Sequence, residues 1–243
     1  MTNGDRKYIA SCSFGKDSLA MVLKLIELNY PLDEVVFYDT GMEFQAIYDI
    51  RDKTLPLLEQ HNIKYVELKP KQPFIYTMFE KPVKERKGDI HYGYSWCGGR
   101  CRWSTTEKLK AMARYAEENN AIVYVGIALD EPRRIEKERK EYKTLPLVEW
   151  GMTEKDCLDY CYSNGFCWEE DGIRLYDILD RVSCWCCSNK NLKELRNIYQ
   201  YLPIYWDKLK ELQSKTDRPM KGEGKSVFDL EKRFNVKEKE ASV

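Results

Sequence analysis

The sequence predicts an α/β fold: a parallel sheet with helices on both faces, followed by a helical C-terminal region. Three observations carry this. Short apolar runs alternate with amphipathic helical periods through the first half of the chain. The first run passes through a small-residue loop straight into a helix, as Ser13-Phe14-Gly15-Lys16-Asp17-Ser18. After Gly151 the pattern becomes mostly helical. Strands separated by helices form βαβ units, whose right-handed crossovers build parallel sheets covered on both sides.

Taken in order, Lys7–Cys12 reads as a strand around Tyr8-Ile9-Ala10, and Leu19–Asn29 as a helix. Glu34–Tyr38 is a buried strand through Val35-Val36-Phe37. Phe44–His61 is a helix that Pro56 should interrupt, because proline lacks the N–H of the ladder. Lys64–Leu68 is a third strand. Lys69–Tyr94 carries Pro70, Pro73, Pro82 and Gly88 and reads as an irregular lid or binding loop. Thr105–Glu118 is a helix and Ala121–Gly126 a fourth strand. Thr153–Asn164, Asn191–Tyr201, Tyr205–Ser214 and Val227–Phe234 are helices, and Lys237–Val243 a frayed end. Without repeat or low-complexity linker, residues 1–190 read as one α/β domain, with 191–243 as its helical extension.

At 243 residues the chain can bury one sizeable α/β core. Forty basic and forty acidic residues cancel, so no overall polyanion-binding signature is present. The basic run Arg133-Arg134, Lys137, Arg139-Lys140, Lys143 is interleaved with Glu136, Glu138 and Glu141, the pattern of a solvated face. No stretch approaches the roughly 18 apolar residues of a membrane span, and the N-terminus lacks a signal-peptide pattern. A cytoplasmic protein with no membrane partner is expected. Two histidines, His61 and His91, exclude a histidine-rich metal site, and neither sits in a triad-like setting.

The loop Ser13–Ser18 has the chemistry of a phosphate cradle. A helix start presents unpaired N–H groups and a positive dipole end. Gly15 allows close backbone approach, Ser13 and Ser18 add hydroxyls, and Lys16 adds a mobile charge. Asp17 would repel phosphate unless it serves a metal ion or the loop itself. The plainer alternative is a strand-to-helix turn with Ser and Asp as caps. Asp39-Thr40-Gly41 follows the second strand, at a carboxyl end of the sheet where ligands bind. Asp39 suits a metal or a ribose hydroxyl, or an Asx turn.

Nine cysteines is a large, odd count for a chain from a reducing compartment, and clustering then points to metal or redox chemistry. Cys97-Gly98-Gly99-Arg100-Cys101 and Cys184-Trp185-Cys186-Cys187 supply four thiolates, Cys97, Cys101, Cys184 and Cys187, from two short loops. Four thiolates suit zinc or an iron–sulfur cluster. Cys186 is left over, as a persulfide carrier or a second-choice ligand. Cys12, Cys157, Cys161 and Cys167 read better as small buried hydrophobes.

The loop does not have Walker spacing. It resembles the Ser-x-Gly-x-Asp-Ser pyrophosphate loop of the PP-loop ATP pyrophosphatases, and among them the phosphoadenosine-phosphosulfate (PAPS) reductase-like family. Asp39-Thr40-Gly41-Met42-Glu43-Phe44 is similar to that family's Asp-Thr-Gly-x-x-Phe. Gly126-Ile127-Ala128-Leu129-Asp130-Glu131-Pro132-Arg133-Arg134 is similar to its Gly-Ile-Arg-x-Asp-Glu-Ser…Arg element. Two departures stand there, Ala128 for an arginine and Pro132 for a serine. Leu145-Pro146-Leu147…Trp150 with Thr153 and Asp156 resembles a Pro-Leu-x-x-Trp segment before a capped helix start. The likeness runs over about residues 7–190.

The resemblance implies ATP with Mg²⁺, bound by Ser13, Phe14, Gly15, Lys16, Asp17, Ser18, Asp39, Thr40, Gly41, Gly126, Asp130 and Arg133 or Arg134. Lys16, Asp17 and Cys186 would be the catalytic residues. Cluster-bearing members place cysteine pairs as this chain does, which favours a [4Fe–4S] cluster over zinc, with Trp96, Trp103 and Trp185 shielding it. The implied activity is adenylation of a substrate by ATP followed by sulfur transfer. It requires a sulfur donor and an acceptor, either nucleic acid or a small metabolite, with a homo-oligomer left open. A PAPS or adenylyl-sulfate reductase is the alternative, although the Glu-Cys-Gly-x-His motif of those enzymes is missing and the last cysteine is Cys187. A non-catalytic nucleotide- and cluster-binding partner is the third reading.

Overall fold

The computed structural model describes residues 6–85, 87–96, 101–138 and 140–241. The strands are β1 (Lys7–Ser11), β2 (Glu34–Tyr38), β3 (Lys64–Leu68), β4 (Pro82–Lys84), β5 (Ile90–Tyr92), β6 (Ala121–Val125), β7 (Lys143–Thr144), β8 (Glu169–Glu170) and β9 (Ile173–Arg174). The helices are α1 (Lys16–Glu27), α2 (Gln45–Gln60), α3 (Glu107–Glu118), α4 (Pro132–Glu138), α5 (Pro146–Glu149), α6 (Glu154–Ser163), α7 (Leu175–Ile178), α8 (Leu192–Tyr201), α9 (Pro203–Gln213) and α10 (Val227–Ala241). Single π-helical turns occupy Tyr76–Glu80 and Arg102–Thr106. The chain divides into two compact units. One is Met1–Asp39, Glu43–Pro70 and Lys108–Trp168; the other is Thr40–Met42, Lys71–Glu107 and Glu169–Val243.

The first unit holds a five-stranded sheet in the order β3-β2-β1-β6-β7, every pair parallel. The α/β class expected from the sequence is therefore present. All five residues of β2 are buried, as a central parallel strand covered on both faces requires. On one face Ile9, Val36 and Val123 meet Met112 and Ala116 of α3. On the other, Phe37 meets the buried ring of Phe14 edge-on at 5.3 Å. Chain order runs outward from β1 to β3, then returns to β6 on the far side of β1. The strand order thus reverses between β1 and β6, the switch point where open α/β sheets form their ligand crevice.

Some local expectations needed correction. Helix α2 runs unbroken through Pro56. Pro56 and Asp52 are both exposed, so water can satisfy the Asp52 carbonyl that loses its donor. The capping box at Thr153 is present, with Asp156 N donating to Thr153 Oγ1 and Thr153 N donating to Asp156 Oδ2. β7 is a two-residue edge strand that its sequence did not announce.

The second unit is helical, with two small hairpins. Helices α8, α9 and α10 share a core around Trp206, whose ring contacts Tyr199 and Phe234 at 5.4 and 5.8 Å. α10 continues to Ala241, past the expected stop at Phe234. Lys69–Tyr94, expected to be irregular, contains the antiparallel hairpin β4–β5 with Pro82 opposite Tyr92. Gly93 roots that hairpin: its φ is +65°, and a Cβ there would lie 2.1 Å from Met78 O. Among the described residues, no helix is long and apolar enough to cross a membrane.

Candidate functional site

In the first unit, the loop after β1 forms at the sheet's switch point. Cys12 N bonds Val36 O, holding the strand end in the sheet, and Phe14 then turns at φ 55°. That left-handed turn is costly for a non-glycine residue. It is held by Trp168, whose buried indole Nε1 donates to Phe14 O at 2.7 Å, and by Phe14's own ring in the core. Of Phe14, only the backbone is placed to meet a ligand. Gly15 is the N-cap of α1, and the helix start has no side-chain cap. The plainer reading of Ser and Asp as caps is thus not realised. Ser18 Oγ instead accepts from Ser13 N at 3.1 Å and donates to Gly15 O at 3.1 Å, bracing the loop from inside.

The loop after β6 closes against this helix start. A Cβ at Gly126 would lie 2.7 Å from Ser18 Cα and 2.9 Å from Ser18 N, so only glycine fits the approach. Ile127 and Ala128 are fully buried, which explains why a small apolar residue can stand at Ala128. Asp130 and Glu131 follow at the rim. Arg134 Nη1 lies 2.6 Å from both oxygens of Glu131, while Arg133 is exposed. Asp39, at the end of β2, accepts from Tyr48 Oη at 2.8 Å.

Lys16 is nearly buried, and its Nζ pairs with Asp17 Oδ1 at 2.8 Å and Glu154 Oε2 at 2.6 Å. Burial pushes the ammonium's pKa down, but Asp17 and Glu154 outweigh it and hold it above its ordinary value. Burial pushes the Asp17 carboxyl up; Lys16 opposes this, while Glu154 and Glu131 add to it. The helix start thus offers N–H groups and one lysine, with carboxylate oxygens beside them. That donor set fits a polyphosphate carrying a hard divalent cation.

In the second unit, Cys184, Cys186 and Cys187 form a loop before α8. Trp185 N bonds Met42 O at 3.0 Å, and Thr40 Oγ1 lies 3.6 Å from Cys184 Sγ. Thr40 Oγ1 also accepts from Met42 N at 3.2 Å, and Gly41 takes a φ of +72° between them. Cys186 is buried; Cys184 and Cys187 are half-buried, as is Cys101. Lys190 is buried against this loop, its Nζ donating to Arg181 O at 3.1 Å. Burial pushes its ammonium's pKa down, against Glu194 and the three cysteines. Cys97 lies outside the described residues. Among the described residues, no group of three or more His, Cys, Asp or Glu side chains is gathered closely enough to hold a metal ion.

Two observations nevertheless fit a thiolate-held group. Trp96 Nε1 and Trp103 Nε1 are buried with no hydrogen-bond partner among the described residues, and they flank the Cys97–Cys101 segment in the chain. Buried donors of this kind suit thiolate or inorganic sulfur acceptors. Lys190 places a buried amino group beside the other thiols.

Glu154, Trp168, Tyr48 and Lys190 were not recognisable as site residues from sequence. Glu154 stands 138 positions from Lys16. Its only local signal is the helix-start pattern around Thr153.

Fold and loops define the class: an open parallel α/β protein whose candidate ligand loops meet at the sheet's switch point. Residues 7–188 match the family model for the phosphoadenosine phosphosulfate reductase domain, and the chain belongs to that family. It is also similar to two uncharacterized proteins of Methanocaldococcus jannaschii. MJ0066 is 28% identical over 235 residues, covering 87% of this chain and 42% of that protein. MJ0973 is 26% identical over 239 residues, covering 90% and 52%. The chain spans about half the length of these curated relatives.

Proposed function

We propose that the protein is an ATP-dependent adenylating enzyme that transfers sulfur and carries a four-cysteine metal site. The uncapped start of α1 at the switch point, with Lys16 beside it and Gly126 closing on it, is the observation that carries the nucleotide half. Family membership supports nucleotide-dependent, sulfur-related chemistry. The eight described cysteines form no disulfide with one another, which suits the reducing, cytoplasmic setting of this reading.

In this reading the backbone N–H groups of Gly15–Ser18 and the hydroxyls of Ser13 and Ser18 bind the β- and γ-phosphates. Asp39, with Gly126, Asp130 and Arg133 or Arg134, completes the nucleotide contacts in the same unit. An acceptor oxygen attacks the α-phosphorus; the bond to the bridging oxygen breaks, and its electrons leave with pyrophosphate. Lys16 stabilises the growing negative charge on that leaving group. Asp17 would hold Mg²⁺, which neutralises phosphate charge when bound. A sulfur nucleophile then attacks the activated carbon of the acceptor, forming C–S and expelling AMP. Cys186 is the thiol assigned to carry that sulfur from a donor as a persulfide; its attack leaves a disulfide between Cys186 and the acceptor, which an external thiol reductant cleaves to free the thiolated product. Cys97, Cys101, Cys184 and Cys187 would hold a [4Fe–4S] cluster, or alternatively zinc; the cluster would supply redox-active, thiophilic iron. The acceptor is a nucleic acid or a small metabolite.

Pyrophosphate release from ATP and Mg²⁺ by anaerobically purified protein, with candidate acceptors supplied, tests the reading. Lys16→Ala and Asp17→Asn should each lower release about a hundredfold without changing the metal content. The family's own description favours a reductase as the second reading. Sulfite release from PAPS and a thiol donor, without pyrophosphate release from ATP, would establish it. Binding of ATP with no turnover of either kind would leave a partner protein.

A further inference from the structure

We infer that Glu154 is the positioning residue for Lys16: its carboxylate holds the ammonium beside the start of α1 and gives it up to the arriving phosphate. This rests on the nucleotide reading of that loop. The geometry begins with burial. The Lys16 side chain is 9% exposed, so its charge needs a partner in the first unit whenever no phosphate is present. Asp17 is adjacent in sequence and moves with the loop. Glu154 comes from a different helix and makes the shorter contact, 2.6 against 2.8 Å.

Glu154 is itself fixed by contacts independent of Lys16. It is the first residue of α6, inside the Thr153–Asp156 capping box. Its backbone N donates to Asp130 Oδ1 at 3.0 Å, and Leu129 N bonds Met152 O at 2.8 Å. The start of α6 is thereby tied to the loop after β6. The Cys161 thiol, about two turns further along α6, donates to Lys16 O at 3.4 Å. The Glu154 carboxylate is thus attached to a braced scaffold and is 33% exposed, so water can solvate it once the lysine leaves.

Charge gives the exchange its direction. Lys16, Asp17 and Glu154 together carry one net negative charge, and Glu131 is matched by Arg134. Glu154 therefore competes with phosphate for the lysine and repels phosphate itself. Neutralising it should tighten nucleotide binding but leave Lys16 poorly aimed at the leaving group. A side chain that merely supports the fold would not separate the two effects.

The test compares wild type with E154Q, E154D and T153A. ATP affinity and pyrophosphate-release kcat are measured, together with the rate at which acetic anhydride modifies Lys16 without nucleotide, read by mass spectrometry. E154Q is expected to label Lys16 severalfold faster, bind ATP severalfold more tightly, and lower kcat by about tenfold or more. E154D, which keeps the charge, should recover part of each change. T153A, which weakens the helix start but keeps the carboxylate, should leave labelling near the wild-type rate. Unchanged labelling and affinity in E154Q, or parallel losses of affinity and kcat shared by T153A, overturn the inference. Faster labelling in E154Q with a wild type that binds no ATP overturns the nucleotide reading, and the phosphate exchange with it, but not the ion-pair hold on Lys16.

Discussion

Cys12, Cys157 and Cys161 lie buried beside the loop, and burial sets their chemistry. It pushes the Cys12 thiol up to about 11, against the hydrogen bonds from Phe14 N and to Ser18, and the Cys157 thiol up to about 12. Cys161 is pushed higher still, chiefly by burial and further by Cys157 and Asp17. All three are neutral and inaccessible at pH 8, so native protein should leave them unmodified by iodoacetamide, whereas half-buried Cys184 and Cys187 of metal-free protein react. Peptide mass spectrometry before and after denaturation checks this; native labelling of Cys157 would contradict it. The sequence marked these three and Cys167 alike as buried thiols, although Cys167 is half-buried. It gave no hint of Trp168, whose indole bond to Phe14 O links residues 154 positions apart. Contacts of that kind depend on how elements meet, and no local pattern records them.

At the scale of elements, strands and helix starts were legible where one physical signal dominated. The apolar runs of β1, β2, β3 and β6 and the Thr153 capping box are such cases. The hairpin β4–β5 was hidden because its strands are three residues long and largely exposed, so no burial pattern marks them. Gly126 sits at a tight junction between the loop after β6 and α1. Its replacement by Ala puts a methyl carbon against backbone atoms of Ser18, which cannot rotate away as a side chain could. The variant should lose about 1–3 kcal/mol of stability and, by moving the start of α1, weaken nucleotide binding. Urea unfolding with ATP titration would show both; a variant of wild-type stability would mean the junction is loose. Strand β2 carries a pH dependence. Burial pushes the Glu34 carboxyl up, but hydrogen bonds from Lys7 and Tyr115 and the charges of Lys7 and Lys64 outweigh it and hold it below its ordinary value. A carboxyl lowered in the folded state contributes stability fully present above the unfolded value, about 4.3. That contribution is lost as pH falls through the folded value. Glu34→Gln should therefore be less stable than wild type at pH 7, with the gap closing in acid; a gap constant with pH would rule the ion pair out as its source.

At the scale of the whole molecule, the chemistry is split between the two compact units. Lys16, Asp17, Gly126 and Glu154 belong to the sheet-bearing unit, while Cys101, Cys184, Cys186, Cys187 and Lys190 belong to the helical one. This division makes the nucleotide and metal halves of the proposal separable by experiment. If Cys101, Cys184 and Cys187 serve a [4Fe–4S] cluster with Cys97, anaerobically purified protein should be brown, with about four irons and four acid-labile sulfides per chain. Cys184→Ser and Cys101→Ser should each lower the iron content sharply and bleach the blue absorption. Their ATP affinity should stay within about twofold of wild type, because the phosphate loop's bracing bonds lie within the other unit. Chelation of the metal should follow the same pattern, with ATP still bound. Equal loss of ATP binding in the serine variants would show that the two functions share one cooperative structure. A colourless protein holding one zinc would retain the four-thiolate centre while removing redox chemistry from it. The sulfur would then have to arrive at the sulfide level, either as sulfide itself or from a Cys186 persulfide whose S–S bond an external thiol reduces.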